Sequence, residues 1–499
     1  MQLPIQLDGA GGKNLQVRIA AQIRDAILDG RLVPGMRMPA SRELAADLKV
    51  SRNTVMGAYA RLIAEGLIEA REPTGTFVAE RAARDGPTVL PFAPGACCPL
   101  AGHRRGSRLR LRAESHRVLP PHASELPFDF WVGRPDARLF PMRAWQSLLV
   151  RMLRGNARHL CDYGDPQGLR ALRESIAAHV GATRGIATTP EHVVVTNGIQ
   201  EGLNLLACLL VAPGLQVAVE NPCYRGAANV FVNHGATLLP VPVDRDGLDP
   251  ARLPAEAAVV YTTPSHQYPL GATLSLARRQ ALLDWASGCG AVIVEDDYDS
   301  DFFYDGTPLP ALKSLDRDGQ VIYLGTFSKS LGAGLRIGYM VLPDDLVEPA
   351  CHAKALLNNC QPWLEQAALA AFIAEGGYAE HLRRLRQLYA ARRNHLCAGL
   401  AQMLPHWGVD GHSGGMHVVA HLPPGGPDAL EVEEMARACG VGIYGICSGN
   451  ALMLGVTDGD PLQRVVLLGY AALDEAEVSV ALLRVRHALA DVQALPMLA

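Results

Sequence analysis

The chain has 499 residues, of which 49% are hydrophobic and 19% are charged, and its formal net charge is −4. This length exceeds one ordinary domain, and the composition is that of a globular protein with an ample core. A slightly acidic chain is not a general polyanion binder, so any DNA contact must be local. The 11 cysteines show no metal-like CxxC spacing, the start lacks a signal-peptide pattern, and no apolar run approaches the ~18 residues of a membrane helix. We therefore expect a cytoplasmic protein with reduced cysteines and no membrane contact.

Residues 1–80 predict a winged helix-turn-helix domain of the α+β class. The first helix, over residues 15–29, stops at Gly30; the second opens on Ser41 as a cap, and the third follows Ser51 as a cap. The apolar residues expected to face inward are Ile19, Ile23 and Ile27, then Leu44 and Leu48, then Val55, Tyr59, Leu62 and Ile63. Residues 67–80 predict two short strands around a Pro-Thr-Gly turn, the wing.

In a helix-turn-helix, the second helix of the pair enters the major groove and its first residues meet base edges. Here those residues are Arg52, Asn53 and Thr54. Arginine suits guanine and asparagine suits adenine. Arg42, near the start of the preceding helix, and Gly75, at the wing tip, are further candidates. A solvated helix start with ordinary capping explains each residue taken alone, and only the assembled pattern favours DNA.

Residues 14–79 closely resemble the GntR-type winged helix. The shared motifs are LxPGxxxPxSRELA, VSRNTVxxAYxxLxxEG and GTFV. The resemblance implies that Arg42, Arg52, Asn53, Thr54 and the wing residue Gly75 contact promoter DNA.

Residues 81–125 predict a semi-extended, basic, proline-rich linker. Its arginines crowd between flanking prolines, and they are Arg104, Arg105, Arg108, Arg110 and Arg112. Two interpretations stay open: solvated arginines, or auxiliary contacts to DNA phosphates.

From residue 126 to 499, apolar strand-like runs alternate with helical ones, which predicts an α/β domain with a largely parallel sheet covered on both faces. The strand-like runs are residues 193–198, 216–222, 258–264, 291–297 and 321–326. We expect the larger part of this domain over about residues 160–345 and the smaller part in the C-terminal remainder.

Lys329 and Asp296 together predict a site for pyridoxal 5'-phosphate (PLP). An uncharged lysine amine forms a Schiff base with an aldehyde, and PLP proteins need an acid beside the pyridine nitrogen. Asp296 follows the apolar run 291–294, where an unpaired carboxylate would be costly and a pyridinium partner would hold it ionised. Tyr298, two positions on, is expected on the same strand face and within reach of the cofactor's phenolic oxygen.

A phosphate site is expected where a strand passes into a helix at TNGIQ. Backbone N–H groups of Gly198, Ile199 and Gln200 at the helix start suit an anion. Ser328 and Arg336, on either side of Lys329, can complete the site, with the arginine as a charged donor.

Two aromatic side chains have open interpretations. Tyr224 follows a strand end and either stacks on the pyridine ring or belongs to the core. His266 either lines the site or is a satisfied structural histidine. The acidic cluster after the strand has a metal site or a solvated loop as its alternative. No histidine with ligand spacing accompanies it in the sequence, so no metal is expected.

From about residue 128 onward the chain resembles fold-type I aminotransferases. The motifs, in order, are YGDPQGLRALR, TNGIQEGL, ENPCY, TPSHQYPLG, VEDDYD and SKxxxxGLRIGY. The resemblance implies that PLP is linked to Lys329, that Asp296 binds the ring nitrogen, and that Tyr163 reaches the phosphate of the partner subunit in a homodimer. TPSHQ and EDDYDSDF behind a GntR-type head resemble the MocR/GabR group of transcriptional regulators over nearly the whole chain.

Three positions depart from the aminotransferase pattern. Ala333 stands where a proline is usual, and Cys223 where a glycine is usual. Leu467 stands about where aminotransferases commonly carry the arginine that binds the substrate carboxylate. Arg464 and Arg225 are possible substitutes. The departure at Leu467 leaves amino-acid turnover in doubt.

These features support two main hypotheses. In the first, the chain is a PLP-dependent transcriptional regulator: the head binds a promoter, and the body of a homodimer senses PLP or an adduct of PLP with an amino acid or amine. The alternative is a working aminotransferase with an auxiliary DNA-binding head, since Lys329, Asp296, Tyr224 and Arg336 are all retained. A PLP-storage protein would leave the head unexplained.

Overall fold

The computed structural model describes residue 5 and residues 15–71, 73–79, 126–306, 308–411, 413–457 and 459–494. Of residues 491–494 it describes the backbone alone. The chain divides into two compact units, Met1–Ala113 and Glu114–Ala499, called here the head and the body. The predicted basic linker, residues 81–125, lies outside the described residues. In the part of the chain that is described, no helix combines the length and apolar character needed to cross a bilayer.

The head consists of three helices and an antiparallel hairpin, which confirms the winged helix-turn-helix. Its elements are α1 (Leu15–Leu28), α2 (Ser41–Asp47), α3 (Arg52–Ala64), β1 (Ile68–Arg71) and β2 (Gly75–Val78). The core is one apolar cluster in which Ile19, Val55 and Leu62 are fully buried.

Two details of the head differ from the prediction. Ser41 is the first residue of α2, and Ala40 occupies the cap position, where its N–H donates to Glu43 Oε2 at 3.3 Å. Ile63 is 43% exposed. Successive residues of a helix point about 100° apart, so burial of Leu62 turns its neighbour toward solvent.

The body alternates strands and helices. Its strands are β3 (Phe128–Asp129), β4 (Val193–Thr196), β5 (Gln216–Asn221), β6 (Cys223–Tyr224), β7 (Thr237–Asp244), β8 (Gly247–Leu248), β9 (Val259–Thr262), β10 (Val292–Asp296), β11 (Val321–Thr326), β12 (Gly338–Val341), β13 (Gly408–Asp410), β14 (His417–His421), β15 (Val441–Gly442), β16 (Tyr444–Gly445), β17 (Ala451–Leu452) and β18 (Val465–Gly469). Its helices are α4 (Met142–Leu153), α5 (Ala157–Cys161), α6 (Arg170–Arg184), α7 (Ile199–Leu210), α8 (Arg225–Asn233), α9 (Leu276–Cys289), α10 (Leu312–Leu315), α11 (Asp344–Asn358), α12 (Trp363–Ala374), α13 (Gly377–Met403), α14 (Ala429–Ala438) and α15 (Glu475–Ala494).

The large sheet of the body has the strand order β4-β12-β11-β10-β9-β5-β7-β8. All five predicted strand runs lie in it, and β5, β7, β9, β10 and β11 pair in parallel. β12 is antiparallel to both β4 and β11. Side chains of a strand alternate between faces: Val294 packs with α7 and α8, whereas Ile293 packs with α9. Both faces are therefore covered, as predicted.

A smaller antiparallel sheet, β13-β14-β18-β16, forms the C-terminal part of the body. The two-residue strand β3 pairs in parallel with β15. The first described residues of the body therefore lie beside its C-terminal part, and they carry Trp131, Val132 and Gly133 toward the large sheet.

Candidate cofactor site and DNA-recognition surface

A cavity of about 270 Å³ lies at the carboxyl ends of β9, β10 and β11. Ligands of open α/β sheets bind at this edge, because parallel strands deliver their following loops to the same place. The cavity brings together eight of the predicted cofactor residues: Ile199, Gln200, Tyr224, Asp296, Tyr298, Ser328, Lys329 and Arg336.

Lys329 lies in a π-helical turn, Ser328–Gly332, directly after β11. Its Nζ donates a hydrogen bond to the carbonyl of Gly133 at 3.2 Å and lies 5.9 Å from the centre of the Tyr298 ring. Burial lowers the pKa of Lys329, although the charges of Asp299 and Asp296 oppose this shift. A lowered pKa increases the share of uncharged amine, which is the form that attacks a carbonyl carbon.

Asp296 ends β10 and is 4% exposed. Its Oδ2 accepts a hydrogen bond from the Tyr261 hydroxyl at 2.6 Å, whereas its Oδ1 has no partner. Burial raises the pKa of Asp296 to about 7. A buried carboxylate oxygen without a donor is costly, and a protonated ring nitrogen in the cavity would supply that donor. The residue therefore fits the pyridine end of PLP.

The start of α7 and Arg336 form a cradle suited to an anion. Gly198, with φ of +76°, precedes the first residue of α7, and Arg336 Nη2 donates to the carbonyl of Asn197 at 2.6 Å. A Cβ on Gly198 would lie 2.9 Å from Arg336 Nη2, so a glycine is what allows this close approach. Free N–H groups at a helix start and an adjacent guanidinium are both phosphate donors. Ser328, whose N–H donates to Thr326 Oγ1 at 3.1 Å, lies at the same end of the cavity.

Glu201, in the first turn of α7, fixes this cradle from behind. It accepts hydrogen bonds from the Asn197 N–H at 2.6 Å, the Gln361 side chain at 3.0 Å and the Asn358 side chain. No sequence pattern pointed to Glu201, because its partners Asn358 and Gln361 lie more than 150 positions further along the chain.

Tyr224 and Tyr298 line the cavity from two sides. The Tyr224 hydroxyl donates to Gln200 Oε1 at 3.3 Å, and burial raises the pKa of Tyr224 to about 12. Tyr298 lies in the loop after β10, since the strand ends at Asp296, so the predicted shared strand face is wrong. The loop nevertheless brings both residues to the cavity.

His266 does not line this cavity. It is buried behind Tyr298, with its Nδ1 3.1 Å from the Tyr298 hydroxyl and 3.0 Å from Asp299 Oδ2. Burial alone would lower the pKa of His266, but the charge of Asp299 and its hydrogen bond outweigh burial and raise it. His266 thus positions Tyr298 rather than lining the site.

A second histidine, His417, lies near His266 and Asp299, and ligating atoms of the three lie within 4.8 Å of one another. Sequence spacing could not show this proximity, because β14 brings His417 in from a distant segment. His417 Nε2 is 2.9 Å from the Pro269 carbonyl, and burial lowers the pKa of His417 to about 3. The rings of His417 and His266 pack edge-on, with their centroids 4.8 Å apart.

Other residues line the cavity without having been indicated by the sequence: Trp131, Val132, Tyr261, Thr263, Tyr268, Thr326, Ala333, Gly449 and Asn450. A usable signal existed for Tyr261 and Thr263, which end a predicted strand whose carboxyl end faces the site. Trp131 and Asn450 come from segments that only the folded chain brings together.

Tyr163 lies outside this cavity and is 85% exposed. The neighbouring Gly164 N–H donates to Cys360 Sγ at 3.2 Å, which fixes this segment near the end of α11. Tyr163 therefore does not contribute to this cavity of its own chain.

In the head, the start of α3 presents a polar surface. Arg42, Arg52 and Asn53 are exposed, and Arg52 Nε donates to Ser41 Oγ at 3.3 Å, which joins the starts of α2 and α3. Thr54 is partly buried, and its N–H donates to the capping Ser51 hydroxyl at 3.1 Å. Gly75, with φ of +120°, begins β2 beside Arg37.

Two family models match the chain. Residues 15–78 match bacterial regulatory proteins of the gntR family, and residues 135–444 match aminotransferase class I and II. The chain is 37% identical over 457 residues to the probable rhizopine catabolism regulatory protein MocR of Rhizobium meliloti, covering 91% of this chain and 89% of the relative. This chain belongs to the MocR-type transcriptional regulators.

Two further similarities, one to a regulator and one to a solved aminotransferase, extend this result for the MocR-type chain. It is 36% identical to the HTH-type transcriptional regulator TauR of Rhodobacter capsulatus, over 88% of this chain and 91% of the relative. The structure of LysN, the α-aminoadipate aminotransferase of Thermus thermophilus in complex with N-(5'-phosphopyridoxyl)-L-leucine, matches with a TM-score of 0.65 and 28% identity, over 74% of this chain and 93% of LysN. The body thus has the fold of PLP-dependent aminotransferases, and the comparisons confirm a transcriptional regulator over an aminotransferase with an auxiliary DNA-binding head.

Proposed function

We propose that this MocR-type regulator holds PLP on Lys329 and that occupancy of the body changes how the head binds promoter DNA. The observation that carries the proposal is Asp296 Oδ1, a buried carboxylate oxygen without a partner in a residue lining the cavity that also contains Lys329. When bound, PLP supplies an aldehyde for an amine to capture and a protonated ring nitrogen that needs an acid beside it.

Different cavity residues would bind the phosphate, the ring and the aldehyde of this cofactor. Arg336 and the N–H groups at the start of α7, from Gly198 to Gln200, would bind the phosphate. Asp296 would pair with the ring nitrogen, and Tyr224 would stack on the ring. Tyr298, with His266 behind it, would hold the phenolic oxygen, and Ser328 would complete the phosphate site. Lys329, with its lowered pKa, would provide the covalent link.

The effector is PLP itself or an adduct of PLP with an amino compound. LysN, which shares this fold, was solved with a phosphopyridoxyl derivative of leucine. MocR and TauR are both named as regulators. An effector regulates only if it has different affinities for two arrangements of the protein, so the occupied and empty body must differ in their preference for DNA.

We further propose a homodimer in which Tyr163 reaches the phosphate of the partner subunit. Exposed side chains cluster where residues near Tyr163 meet the end of α11: Tyr163 is 85% exposed, Leu356 is 91% exposed and Leu357 is 58% exposed. Apolar surface of this kind is typical of an interface between subunits. A two-fold dimer with two heads favours a promoter site with two repeated half-sites. Arg42, Arg52, Asn53, Thr54 and Gly75 are the proposed DNA contacts.

The test measures cofactor and DNA binding on the same full-length protein. Protein incubated with PLP and borohydride should carry one phosphopyridoxyl group on Lys329, located by peptide mass spectrometry, and Lys329→Ala should carry none. Lys313→Ala, a change at a lysine outside the cavity, should be labelled like the wild type. Fluorescence anisotropy with the region upstream of its own and neighbouring genes should give different dissociation constants with and without PLP. Unlabelled wild-type protein, or identical DNA affinity in both states, would contradict the proposal.

A further inference from the structure

We propose that the effector of this regulator is a small amine that carries no carboxylate and whose apolar or aromatic group contacts a wall formed by Trp131, Val132 and Tyr268, called here the apolar wall, behind which Leu467 is buried. The inference rests on the proposed function, because it names the class of compound that the PLP-loaded cavity would accept. It follows from the charges available in and around the cavity.

Cations are scarce in the cavity. Among the described residues that line it, the only ones are Lys329 and Arg336. Arg336 is drawn to the anion cradle by its bond to the Asn197 carbonyl, and Lys329 is the proposed attachment point. Once the cofactor is held, neither of these two cations of the chain itself is left for a second anion. A buried carboxylate without a cation or donors is strongly disfavoured.

Three arginines outside the cavity donate hydrogen bonds to other acceptors. Arg225 donates to the carbonyls of Ala451 at 2.8 Å and Cys447 at 3.0 Å. Arg464 donates to three carbonyls, those of Pro423 at 2.6 Å, Pro427 at 3.2 Å and Gly426. Neither of these two residues, considered above as possible carboxylate binders, lines the cavity. Arg134 lies close in sequence to Trp131, but its Nη1 donates to Asp129 Oδ2 at 2.7 Å.

The apolar wall is continuous with buried hydrophobic packing. Leu467, in β18, is fully buried and belongs to a cluster with Val132, Tyr268 and Ile446. It lies directly behind the cavity residue Gly449, since a Cβ on Gly449 would meet Leu467 Cδ1 at 2.7 Å. A carboxylate at this wall would therefore meet apolar and aromatic side chains, and the position behind Gly449 holds a leucine in place of a cation.

Aromatic rings in the same region favour a cation. The rings of Tyr224 and Tyr298 each meet Tyr268 edge-on, with centroids 6.0 Å apart. Aromatic faces attract an ammonium group as it enters the cavity, whereas they offer nothing to a carboxylate. Because about 270 Å³ must hold the cofactor as well, the amine must be small.

The experiment uses the PLP-loaded, full-length protein and pairs of compounds that differ only by a carboxylate: 2-phenylethylamine against L-phenylalanine, and tyramine against L-tyrosine. Dissociation constants come from isothermal calorimetry and from the visible absorbance of the bound cofactor. We expect each amine to bind at least about tenfold more tightly than its amino acid, the factor that 1.4 kcal/mol represents. Equal or tighter binding of the amino acids would overturn the proposal.

A charge introduced behind the wall provides the second arm. Leu467→Arg should reduce or reverse the ratio by which each amine binds more tightly than its amino acid. Val480→Arg, at an exposed position of α15, should leave that ratio unchanged. If Leu467→Arg does not fold, the wild-type pairs still decide. PLP loading and promoter binding are measured first, without any amine. Failure there contradicts the proposed function, whereas intact loading with tighter amino-acid binding contradicts only this inference.

Discussion

The Lys329 amine donates its hydrogen bond to the backbone carbonyl of Gly133, a residue with φ of +71° at which a Cβ would lie 2.5 Å from that amine. The first described segment of the body thus covers Lys329 with backbone that carries no side chain at Gly133. A side chain at this position would occupy the space through which Lys329 reaches the cavity.

Gly133→Ala should therefore impair capture of PLP. We expect the dissociation constant for PLP to rise by about tenfold or more, since the added methyl meets Nζ and the backbone is strained by about 1–2 kcal/mol. Gly155→Ala is the matched control: Gly155 has φ of +75°, but a Cβ there meets no atom within 4 Å. The readout is the fraction of protein that borohydride fixes as a phosphopyridoxyl adduct. Equal losses in the two variants would show that backbone strain alone is responsible.

Asp296→Asn should stabilise the protein without PLP and weaken its binding of PLP. Burial raises the pKa of Asp296 from 3.8 to about 7. Between these two pH values the unfolded chain releases the proton while the folded protein keeps it, so the stability of the wild type falls as pH rises and then levels off. Asparagine keeps an acceptor for Tyr261 and carries no charge.

The stability difference between Asp296→Asn and the wild type should accordingly grow from pH 4 to pH 7 and reach about 1–3 kcal/mol. Urea unfolding at several pH values, with and without PLP, measures it. PLP should stabilise the wild type more than the variant. A stability difference that stays constant with pH would contradict the raised pKa of Asp296. Equal stabilisation of the two proteins by PLP would contradict the assignment of Asp296 to the ring nitrogen.

Gly198→Ala should weaken binding of PLP more than binding of pyridoxal, which lacks the phosphate. The added Cβ would lie 2.9 Å from Arg336 Nη2 and push the guanidinium from the start of α7. We expect a loss of about tenfold or more for PLP. Gly214→Ala, with a comparable φ of +87° and open space around its Cβ, controls for backbone strain. Equal losses for PLP and pyridoxal would place the phosphate elsewhere.

Arg52→Ala should reduce specific binding of promoter DNA by about 1–3 kcal/mol, because an exposed arginine at the start of a recognition helix is placed to read a base edge. Arg61→Ala, at the other end of α3, removes the same charge and should change specific binding by no more than about 0.5 kcal/mol. Anisotropy titrations with the promoter duplex and a scrambled duplex, at one salt concentration, separate specific from general binding. Undiminished preference for the promoter in Arg52→Ala would exclude this residue from recognition.

The sequence predicted local features of the fold well, and features that depend on distant pairing poorly. Apolar spacing predicted α1 and α3, and runs of β-branched residues predicted five strands of the large sheet. β12 was not predicted as a strand, because its place between β4 and β11 depends on pairing across the sheet. Ile63 was predicted to face the core, but it is the neighbouring Leu62 that is buried, and Ile63 is turned about 100° away from it toward solvent.

The candidate site shows the same division. Lys329, Asp296 and Arg336 stand in short motifs, so they could be named before the fold was known. Tyr261 donates to Asp296 from the adjacent strand, 35 positions away in sequence, and no motif joins them. The position of Tyr298 after the end of β10 was missed, since strand ends depend on pairing with neighbours. Whether these residues bind PLP stays a prediction until the labelling experiment is done.

Glu201 connects the proposed phosphate site at the start of α7 with the proposed dimer surface at the end of α11. Its carboxylate accepts hydrogen bonds from the turn before α7, from the last residue of α11 and from Gln361 just after that helix, whose last turn exposes Leu356 and Leu357. We expect packing of a second subunit on these leucines to order the turn that would bind the phosphate. Binding of the phosphate should in turn order the dimer interface. Binding of PLP and dimerisation would then be coupled, and both would affect promoter binding together.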